Sequence, residues 1–394
     1  MSPKSGQGQN AKKITAALAL ATISTVFPGF LIGALSQQVS AEFDVSASQY
    51  GWATGSFFIA AMTGSVILGK VGQLVGPRLQ ISATLTVSAC AQLLVATSAQ
   101  SFETILAMLA IAGFANAGNQ SAVNLALTQA NIRRLGVALA TKQSSMPAAS
   151  MLAGFAVPGI SLTIGWRWAF VMGAALAVGS VITIRLVVKP SPVVNKARDH
   201  KLVSTKIDLV LTGIGVMFIA FSAGALNGWT VGSAVDAGIG EGPAGLLLSL
   251  GAICGITVRM IVGFRLDRNP VPFRIAGYLT LLGTVGIAAL SLREAALHPL
   301  ATIVAFGAGW VWPVPTNFGI VKTNASAAGA ATGITQTGVY IGVATGAPTG
   351  GWLIQQYGYE KMWLVVAAST TVGATITLLM RNRYRGQSHP AAVQ

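Results

Sequence analysis

One lysine stands among hydroxyl and amide side chains inside a long apolar stretch. Residues 141–145, which include Lys142 and Gln143, are all polar, while the chain around them from about 135 to 160 is mostly apolar. A charged side chain at membrane depth costs about 2.5–3.5 kcal/mol, so it usually marks a substrate path or a packed interior. A buried cation beside hydrogen-bonding groups suits a small anion or an organic acid. We predict that Lys142 and Gln143 bind such a ligand; the alternative is that the lysine snorkels to the membrane surface.

Amide side chains recur in an earlier apolar stretch. Asn116, Asn119, Gln120 and Asn124 are spaced so that they fall near one face of a helix. Amides in lipid need hydrogen-bond partners, so we predict that this face points inward and lines a polar cavity. The alternative is that the amides hold helices together, at about 0.6 kcal/mol per bond.

Aromatic and amide residues near the C-terminal end complete the predicted ligand-binding set. Trp310 and Asn317 lie in a stretch that two prolines interrupt. Broken helices line substrate sites in transporters, so we predict that both residues face the ligand, although Trp310 could instead pack against lipid or other helices. Gln336 and Tyr340 belong to the next stretch and are assigned to the same set.

The composition requires a lipid environment for these side chains. The chain has 394 residues of which 9% are charged, whereas a soluble protein carries about 25%, and the mean hydropathy is +0.66. A helix of about 20 apolar residues crosses a hydrocarbon core of about 30 Å. Twelve such segments, named spans 1 to 12, are predicted at about 14–36, 50–69, 79–98, 104–128, 135–160, 167–188, 208–230, 243–263, 273–292, 298–320, 330–354 and 360–380. The predicted fold is an all-α integral membrane protein.

The distribution of positive charge predicts the orientation. The net charge is +15, yet the loops that would lie outside contain only Arg167, Arg293 and Lys361 among the lysines and arginines. This bias places both termini in the cytoplasm of a multi-pass plasma-membrane protein, and it explains the charge without a nucleic-acid partner. The two cysteines fall inside spans, so neither a disulfide nor a metal site is expected.

An internal repeat divides the chain into two halves. At an offset of 193 residues, Gly136 matches Gly329, Gln143 matches Gln336, and Gly165 matches Gly358. Long-period repeats in hydrophobic chains are typical of transporters built from two related bundles. The predicted parts are an inner tail (1–13), a six-helix bundle (14–188), a cytoplasmic linker (189–207), a second bundle (208–380) and a C-terminal tail (381–394). The bundles should be related by an axis along the membrane normal.

Three short segments resemble those of a known family. Residues 69–78, Gly-Lys-Val-Gly-Gln-Leu-Val-Gly-Pro-Arg, and residues 263–269, Gly-Phe-Arg-Leu-Asp-Arg-Asn, lie 194 residues apart. Both are similar to the loop that follows the second span of each half in the major facilitator superfamily. Residues 165–170 look like that family's junction between spans 5 and 6. The resemblance implies a bacterial-type, twelve-span secondary transporter in which the two bundles give access to each side in turn.

In that family the loop after spans 2 and 8 acts as an inner gate through charge pairs. Gln73 and Leu74 depart from the acidic and basic residues common there, so the resemblance implies a weaker latch in the first half. We predict that Arg259 belongs to this gate as a partner of Asp267; the alternative is an ordinary anchor at the end of span 8. The predicted gating residues are Gly69, Arg78, Arg259, Gly263, Asp267 and Arg268; the alternative is a merely basic turn.

These features leave two function classes. No Walker loop, metal cluster or nucleophile–base pair is present in a suitable context, so an enzyme, an ATP-driven pump or a bound cofactor is not expected. The spans also lack a mid-membrane aspartate or glutamate, which disfavours drug export and proton coupling through a carboxylate. We predict a secondary transporter, with a non-transporting membrane receptor as the other class. Within transport, a small organic or inorganic anion competes with efflux of amphipathic compounds. The expected partners are the small-molecule substrate, the bilayer and a coupling ion, either a proton or a counter-anion, and the protein is expected to be a monomer.

Span 11 carries a row of small residues. Gly338, Gly342, Gly346 and Gly350 recur every four positions. Small residues at this spacing let helices approach closely. We therefore predict that this glycine row packs against another helix rather than binding the ligand.

Overall fold

The described part of the chain is built from helices, with no strand. The computed structural model describes residues 3–129, 135–190 and 202–387. Spans 1 to 6 are the helices Pro3–Ala34, Ala47–Val75, Pro77–Ser98, Phe102–Gln129, Leu135–Ala156 and Trp166–Val187. Spans 7 to 10 are Lys206–Asp236, Glu241–Arg268, Pro272–Ala289 and the broken pair His298–Val304 and Pro313–Thr323, and spans 11 and 12 share Ala328–Gln387. Shorter elements are the helix Ser36–Phe43, the π-helical turns Val157–Ser161 and Ala305–Gly309, the helical turn Leu162–Ile164, and the 3₁₀ turns Leu290–Leu292 and Ala325–Ala327.

The helices are long enough to make twelve membrane crossings. Within the described residues, eight helices could cross a membrane by length and composition alone. The last of these, Ala328–Tyr384, crosses twice because Gly358 interrupts it with φ 76° and ψ 174°. Ala47–Val75, Phe102–Gln129 and the broken span 10 supply the remaining crossings. The prediction of a twelve-span, all-α membrane protein is confirmed.

The repeat found in the sequence is also a repeat of backbone geometry. Gly165 has φ 105° and Gly358, 193 residues later, has φ 76°. L-amino acids with side chains rarely adopt this region, so glycine is needed where span 5 turns into span 6 and span 11 into span 12. Phe170 and Trp363, which share the same offset, are both fully buried.

The helix pairs repeat as well. In the first half, span 2 packs on span 4, span 3 on spans 4 and 6, and span 1 on spans 5 and 6. The same pairs recur in the second half, where span 8 packs on span 10, span 9 on spans 10 and 12, and span 7 on spans 11 and 12. The halves meet where span 5 packs on span 8, span 2 on span 11, and span 1 on span 7. Each half is therefore a six-helix bundle, and the two bundles are pseudo-symmetric.

The glycine row of span 11 packs on span 7, as predicted. A Cβ atom at Gly338, Gly342 or Gly346 would collide with the carbonyl oxygen of Gly213, Met217 or Phe221, respectively. Backbone therefore lies against backbone along this seam, which only residues without a side chain permit.

Two helices continue beyond their predicted ends. Residues 69–75 and 263–268 were predicted as loop, but span 2 is helical to Val75 and span 8 to Arg268. Hydropathy marks where the chain leaves lipid, whereas a helix can continue into water with its hydrogen bonds intact. As a result Arg259 lies nine residues, or about 13 Å at 1.5 Å per residue, from the C-terminal end of span 8.

Candidate functional site

At the end that lies farther from Lys13 and Tyr384, called the outer end, the backbones of the two halves are in direct contact at both interfaces. On spans 5 and 8, a Cβ atom at Gly154 would collide with the carbonyl oxygen of Gly245. On spans 2 and 11, a Cβ at Gly51 would lie 2.7 Å from the carbonyl oxygen of Ala347. Spans 5 and 8, and spans 2 and 11, therefore pack closely at this level.

A polar link adds to this outer closure. The amide nitrogen of Gln38, on the short helix after span 1, donates a hydrogen bond to the Glu241 carboxylate at the start of span 8. The link joins the first half to the second at the outer surface.

Further inward, a guanidinium group is buried in span 8. Arg259 is 1% exposed, and its Nη2 atom donates a hydrogen bond to the carbonyl oxygen of Trp310. Its Nε and Nη1 atoms have no hydrogen-bond partner, and no carboxylate pairs with it among the described residues. The predicted pairing with Asp267 is absent, and full burial also excludes an anchor at the membrane surface. Arg259 is therefore a buried cation with two unpaired hydrogen-bond donor atoms.

The break in span 10 creates the one bond that Arg259 makes. The π-helical turn Ala305–Gly309 is followed by non-helical residues before the next helix begins at Pro313. The backbone N–H of Val314, four residues after Trp310, donates to the carbonyl of Val311, 3.2 Å away, so it does not occupy the Trp310 carbonyl, which accepts from the guanidinium. The Trp310 side chain also makes a cation–π contact with Arg259. The guanidinium carbon lies 4.9 Å from the centroid of the Trp310 ring.

Aromatic rings from both halves pack on the Trp310 ring that lies against this charge. Trp310 meets Phe30 of span 1 edge to face, with ring centroids 5.7 Å apart and planes at 81°. On the other side it meets Phe306 at 5.7 Å and 80°. The cation is thus held in a largely apolar environment, where electrostatic interactions are stronger than in water.

Lys142 lies on span 5 at about the same depth as Arg259. At the inner side the backbone N–H of Val137 donates to Oδ2 of Asp267, 3.2 Å away. Toward the outer side the Ser249 hydroxyl donates to the carbonyl of Met151, 2.9 Å away. These contacts fix the antiparallel register of spans 5 and 8, and they bracket both cations.

An apolar cluster closes the inner side of this region. Ala140 of span 5 packs with residues of spans 8 and 10, namely Val262, Leu266, Val311, Val314 and Phe318. Lys142 is partly buried just outward of the cluster and forms no ion pair in the described structure. Two cations therefore lie between the inner cluster and the outer backbone contacts.

Several polar atoms beside the lysine also lack partners. The hydroxyls of Ser144 and Ser145 are buried without a hydrogen bond, whereas Thr141 donates to the carbonyl of Val137, 2.9 Å away. Gln143 is partly buried. Buried polar groups are normally hydrogen-bonded, so unpaired ones point to bound water or a ligand.

The amides of span 4 form a separate group that is tied to span 1. The Thr25 hydroxyl donates to Oδ1 of Asn116 at 3.2 Å, and Nδ2 of Asn119 donates to the Thr25 hydroxyl at 3.0 Å. Asn116 Nδ2, Asn119 Oδ1 and Gln120 Nε2 remain unpaired. Asn124 is exposed. The structure thus includes the helix-joining contacts given above as the alternative, and it leaves one atom of each buried amide free.

The remaining predicted ligand residues are spread over the second half. Tyr340 is buried against Ala61 of span 2 and Ala117 of span 4, so it joins the halves. Asn317 and Gln336 are partly buried. Trp310 contacts Arg259, whereas Asn317 and Gln336 do not.

The predicted gating residues are separated at the inner surface. Asp267 contacts the start of span 5, as described, while Arg78 donates from Nη2 to the carbonyl of Arg185, 2.7 Å away. Gly69 and Gly263 lie within helices, and Arg268 is exposed at the end of span 8.

Sequence reasoning missed the depth of Arg259 and the role of Phe30. The sequence predicts Lys142 as the only charge well inside a span, because it predicts that span 8 ends at residue 263. The signal for a longer helix was the absence of proline or of a turn-forming pair between Gly263 and Arg268.

Comparisons with known proteins agree with this architecture. The family model described as Major Facilitator Superfamily matches residues 17–347. The structure of a bacterial homologue of the human lysosomal transporter Spinster, inward-facing and occupied, has a TM-score of 0.69 and 14% identity, covering 96% of this chain and 97% of the other. The nucleoside transporter NupG has a TM-score of 0.73 and 15% identity, covering 93% and 99%. At these identities the similarity establishes the fold. No curated protein sequence matches the chain.

Proposed function

The chain belongs to the major facilitator superfamily, and we propose that this secondary transporter moves a small organic or inorganic anion by alternating access between its two bundles. The observation that carries the anion proposal is Arg259. A buried guanidinium with two unpaired donor nitrogens and no carboxylate within the described residues is costly to maintain. A bound anion would supply the missing charge and accept both hydrogen bonds.

Lys142 provides the second element of the proposed site. It lies on the opposite side of the interface between the halves, at about the depth of Arg259. An anion bound between them would contact one cation from each half. Such a ligand would hold spans 5 and 8 together, and its release would let them separate, which is what alternating access requires.

The hydroxyls of Ser144 and Ser145 are suited to complete the coordination of a small oxyanion. Each is buried, has no hydrogen-bond partner, and lies within one turn of Lys142. A hydroxyl can donate to one oxygen of a carboxylate or a similar anion while the cations neutralise its charge.

The rings around Arg259 favour an organic anion within this class. Phe30, Phe306 and Trp310 would accommodate an apolar or planar group attached to a carboxylate. The same rings are the observation that supports the other candidate, efflux of amphipathic compounds. For that candidate the guanidinium selects anionic amphiphiles, because it would repel a cationic drug.

The placement of acidic residues supports anion exchange over proton coupling through a carboxylate. Every aspartate and glutamate in the described residues lies at the end of a span or in a connecting segment. A counter-anion that binds to the same two cations would return the transporter without any titrating carboxylate. We further propose a monomer in the plasma membrane with both termini in the cytoplasm.

A ligand screen on purified protein tests the proposal. A ligand that binds only the folded state raises its stability, by about 2.7 kcal/mol at a concentration 100 times its Kd. We expect aromatic and aliphatic carboxylates, or nitrite-like anions, to raise the melting temperature of the native protein and not of Arg259→Gln. Stabilisation by nucleosides, sugars or cationic dyes, with no effect of any anion, would contradict the anion proposal.

A further inference from the structure

A cationic cavity lies at the inner end of the second bundle, away from the site between the halves. Its volume is about 500 Å³, and it opens between the turn after span 8 and the inner ends of spans 10 and 12. The lining residues are Pro270, Val271, Pro272, Phe273, Arg274, Gly319, Lys322, Thr323, Arg381 and Tyr384. With both termini in the cytoplasm, as proposed above, the cavity would lie at the level of the lipid headgroups of the inner leaflet.

Three cations at this cavity have no acidic partner in the described part of the chain. Arg274 lies over the Tyr278 ring at 5.9 Å, and Lys322 lies over the Phe318 ring at 5.6 Å. Arg381 donates from Nε to the Asn382 side chain, 3.2 Å away. All three cations are exposed.

The carboxylate of Asp208, which acts on Tyr384 of the cavity wall, is already engaged. Asp208, at the start of span 7, is paired with Arg383 at 2.8 Å and accepts from Thr205 at 2.8 Å. It belongs to span 7 and does not line the cavity. The three cations therefore present a net positive surface to any ligand that enters.

The walls of the cavity are apolar, which distinguishes it from a surface patch of lysines. Phe273 is buried and stacks on Tyr384, with ring centroids 4.4 Å apart. Val271 and two prolines form the other wall, and Val271 is 36% exposed. A ligand that fits has an anionic head and an apolar continuation.

We propose that this cavity binds the phosphate headgroup of an anionic phospholipid from the inner leaflet. Arginine and lysine together neutralise a phosphodiester and donate to its oxygens. Basic pockets between membrane helices on the cytoplasmic side are suited to such headgroups. The glycerol and the first acyl carbons would lie along Val271 and Phe273, toward the lipid-facing surface of span 9.

The first bundle offers a matched control. A cavity of about 340 Å³ lies at the equivalent place after span 2 and is lined by Val75, Gly76, Arg78, Leu79, Ser82, Arg185 and Pro190. It has two cations rather than three, and the guanidinium of Arg78 is already bonded to the carbonyl of Arg185. We assign the lipid to the second-half cavity only.

Native mass spectrometry of the purified protein tests the proposal. Phosphatidylglycerol, phosphatidylcholine and inorganic phosphate are titrated at 0.15 M salt into the native protein, Lys322→Gln/Arg381→Gln, and the control Arg185→Gln. We expect phosphatidylglycerol to bind the native protein, with at least tenfold weaker binding to the double variant and little change in Arg185→Gln. Phosphatidylcholine and free phosphate should bind more weakly than phosphatidylglycerol.

Three results would overturn the proposal. Equal loss of binding in Arg185→Gln would show that the lipid senses only diffuse surface charge. Equal binding of phosphatidylcholine would remove the role of net negative charge, and equally tight binding of inorganic phosphate would make the ligand a soluble anion. All changed side chains are exposed, so the variants should fold, which size-exclusion chromatography checks before titration.

Discussion

The two helix pairs that join the halves have the same packing and different chemistry. Span 5 against span 8 carries Lys142 and Arg259. At the equivalent positions, span 11 has Thr335 and span 2 has Ser65, at offsets of 193 and 194 residues. Their hydroxyls bond within their own helices, Thr335 to the carbonyl of Thr332 at 3.1 Å and Ser65 to that of Met62 at 2.7 Å.

The comparison shows that the repeat preserves the packing of the helices but not the charge at the interfaces. Backbone contacts recur in both interfaces, because each half must pack in the same way. Charge is concentrated in one interface, so the contact region between the halves is electrically asymmetric. An anion would be held on the side of spans 5 and 8, while spans 2 and 11 would close against it.

At the outer surface, unlike at the interface between the halves, both halves contain an ion pair. Glu42 pairs with Arg167 at 2.6 Å, and Asp236, 194 residues after Glu42, pairs with Arg293 at 2.8 Å. The acids are equivalent by the repeat, whereas the arginines come from different junctions. The outer ion pairs thus hold each half together. The charge that differs between the two interfaces is that of Lys142 and Arg259.

The largest effect should come from Arg259→Gln, which removes charge from the interface of spans 5 and 8. Truncating one member of a buried charged pair typically costs about 2–5 kcal/mol, so anion affinity should fall roughly 30-fold or more. Binding measured by calorimetry checks this. Ser65→Ala, at the equivalent position of span 2, should leave anion affinity unchanged. An equal loss of affinity in both variants would show that the anion does not prefer the interface of spans 5 and 8.

Gly342→Leu should break packing rather than binding. Its side chain would meet the backbone of Met217 on span 7, and overpacking of this kind costs about 1–3 kcal/mol or more. We expect a lower melting temperature and poorer yield. Gly333→Leu is the control, because nothing lies within 4 Å of a Cβ atom there. A stable Gly342→Leu protein would show that spans 7 and 11 can separate.

Lys142→Gln keeps length and polarity and removes the second cation. Loss of a hydrogen bond to a charged group costs about 1.5 kcal/mol, so affinity should fall about tenfold, with folding retained. Any pH dependence of transport should disappear with it. Thr335→Val, the equivalent change in span 11, should have no such effect. Unaltered, pH-dependent transport in Lys142→Gln would indicate a lysine that merely reaches the inner surface.

Asp267→Asn tests the inner contact between spans 8 and 5. The new amide oxygen can still accept from the Val137 N–H, so we expect a change below about 1 kcal/mol, through the lost charge beside Arg268. Cysteine labelling at position 333 would report inner accessibility. Gln73→Asn, at the equivalent position in the first half, should change it less. Identical labelling in both variants and the native protein would remove Asp267 from the gate.

Glu42 should give the smallest effect, which depends on pH. Burial raises the pKa of this carboxyl, but hydrogen bonds from Trp166 and Arg167 and the arginine charge outweigh burial and hold the pKa below its ordinary value. The folded state is thus favoured above the ordinary pKa, and that stability is lost as pH falls through the folded value. Melting curves at pH 7 and pH 4 should show a smaller acid-induced drop for Glu42→Gln than for the native protein.

The effect of Glu42→Gln should be small because Glu42 is partly exposed. A second exposed, ion-paired carboxyl therefore serves as the control. Glu360 pairs with its neighbour Lys361 and is more than half exposed. Glu360→Gln should follow the native pH dependence. If Glu42→Gln also follows it, the outer ion pair of the first half does not contribute to stability.

The sequence predicted the fold well because its signals are local and repeated. Hydropathy marked the spans, and the glycines at 165 and 358 marked equivalent turns. Side-chain roles were harder, because the direction in which a helix face points depends on packing. Asn116 and Asn119 were correctly expected to face inward, yet their partner Thr25 lies on another helix. Arg259 was placed at a helix end because hydropathy falls there while the helix continues.

The central claim is that an anion binds Arg259 at the interface of spans 5 and 8. Anomalous diffraction from crystals grown with a bromine-substituted carboxylate tests it most directly, because the bromine reports the ligand's position without reference to activity. We predict an anomalous peak beside Trp310, with the carboxylate within hydrogen-bond distance of the Nε or Nη1 atom of Arg259. A peak confined to the interface of spans 2 and 11, or none at a saturating concentration, would contradict the claim.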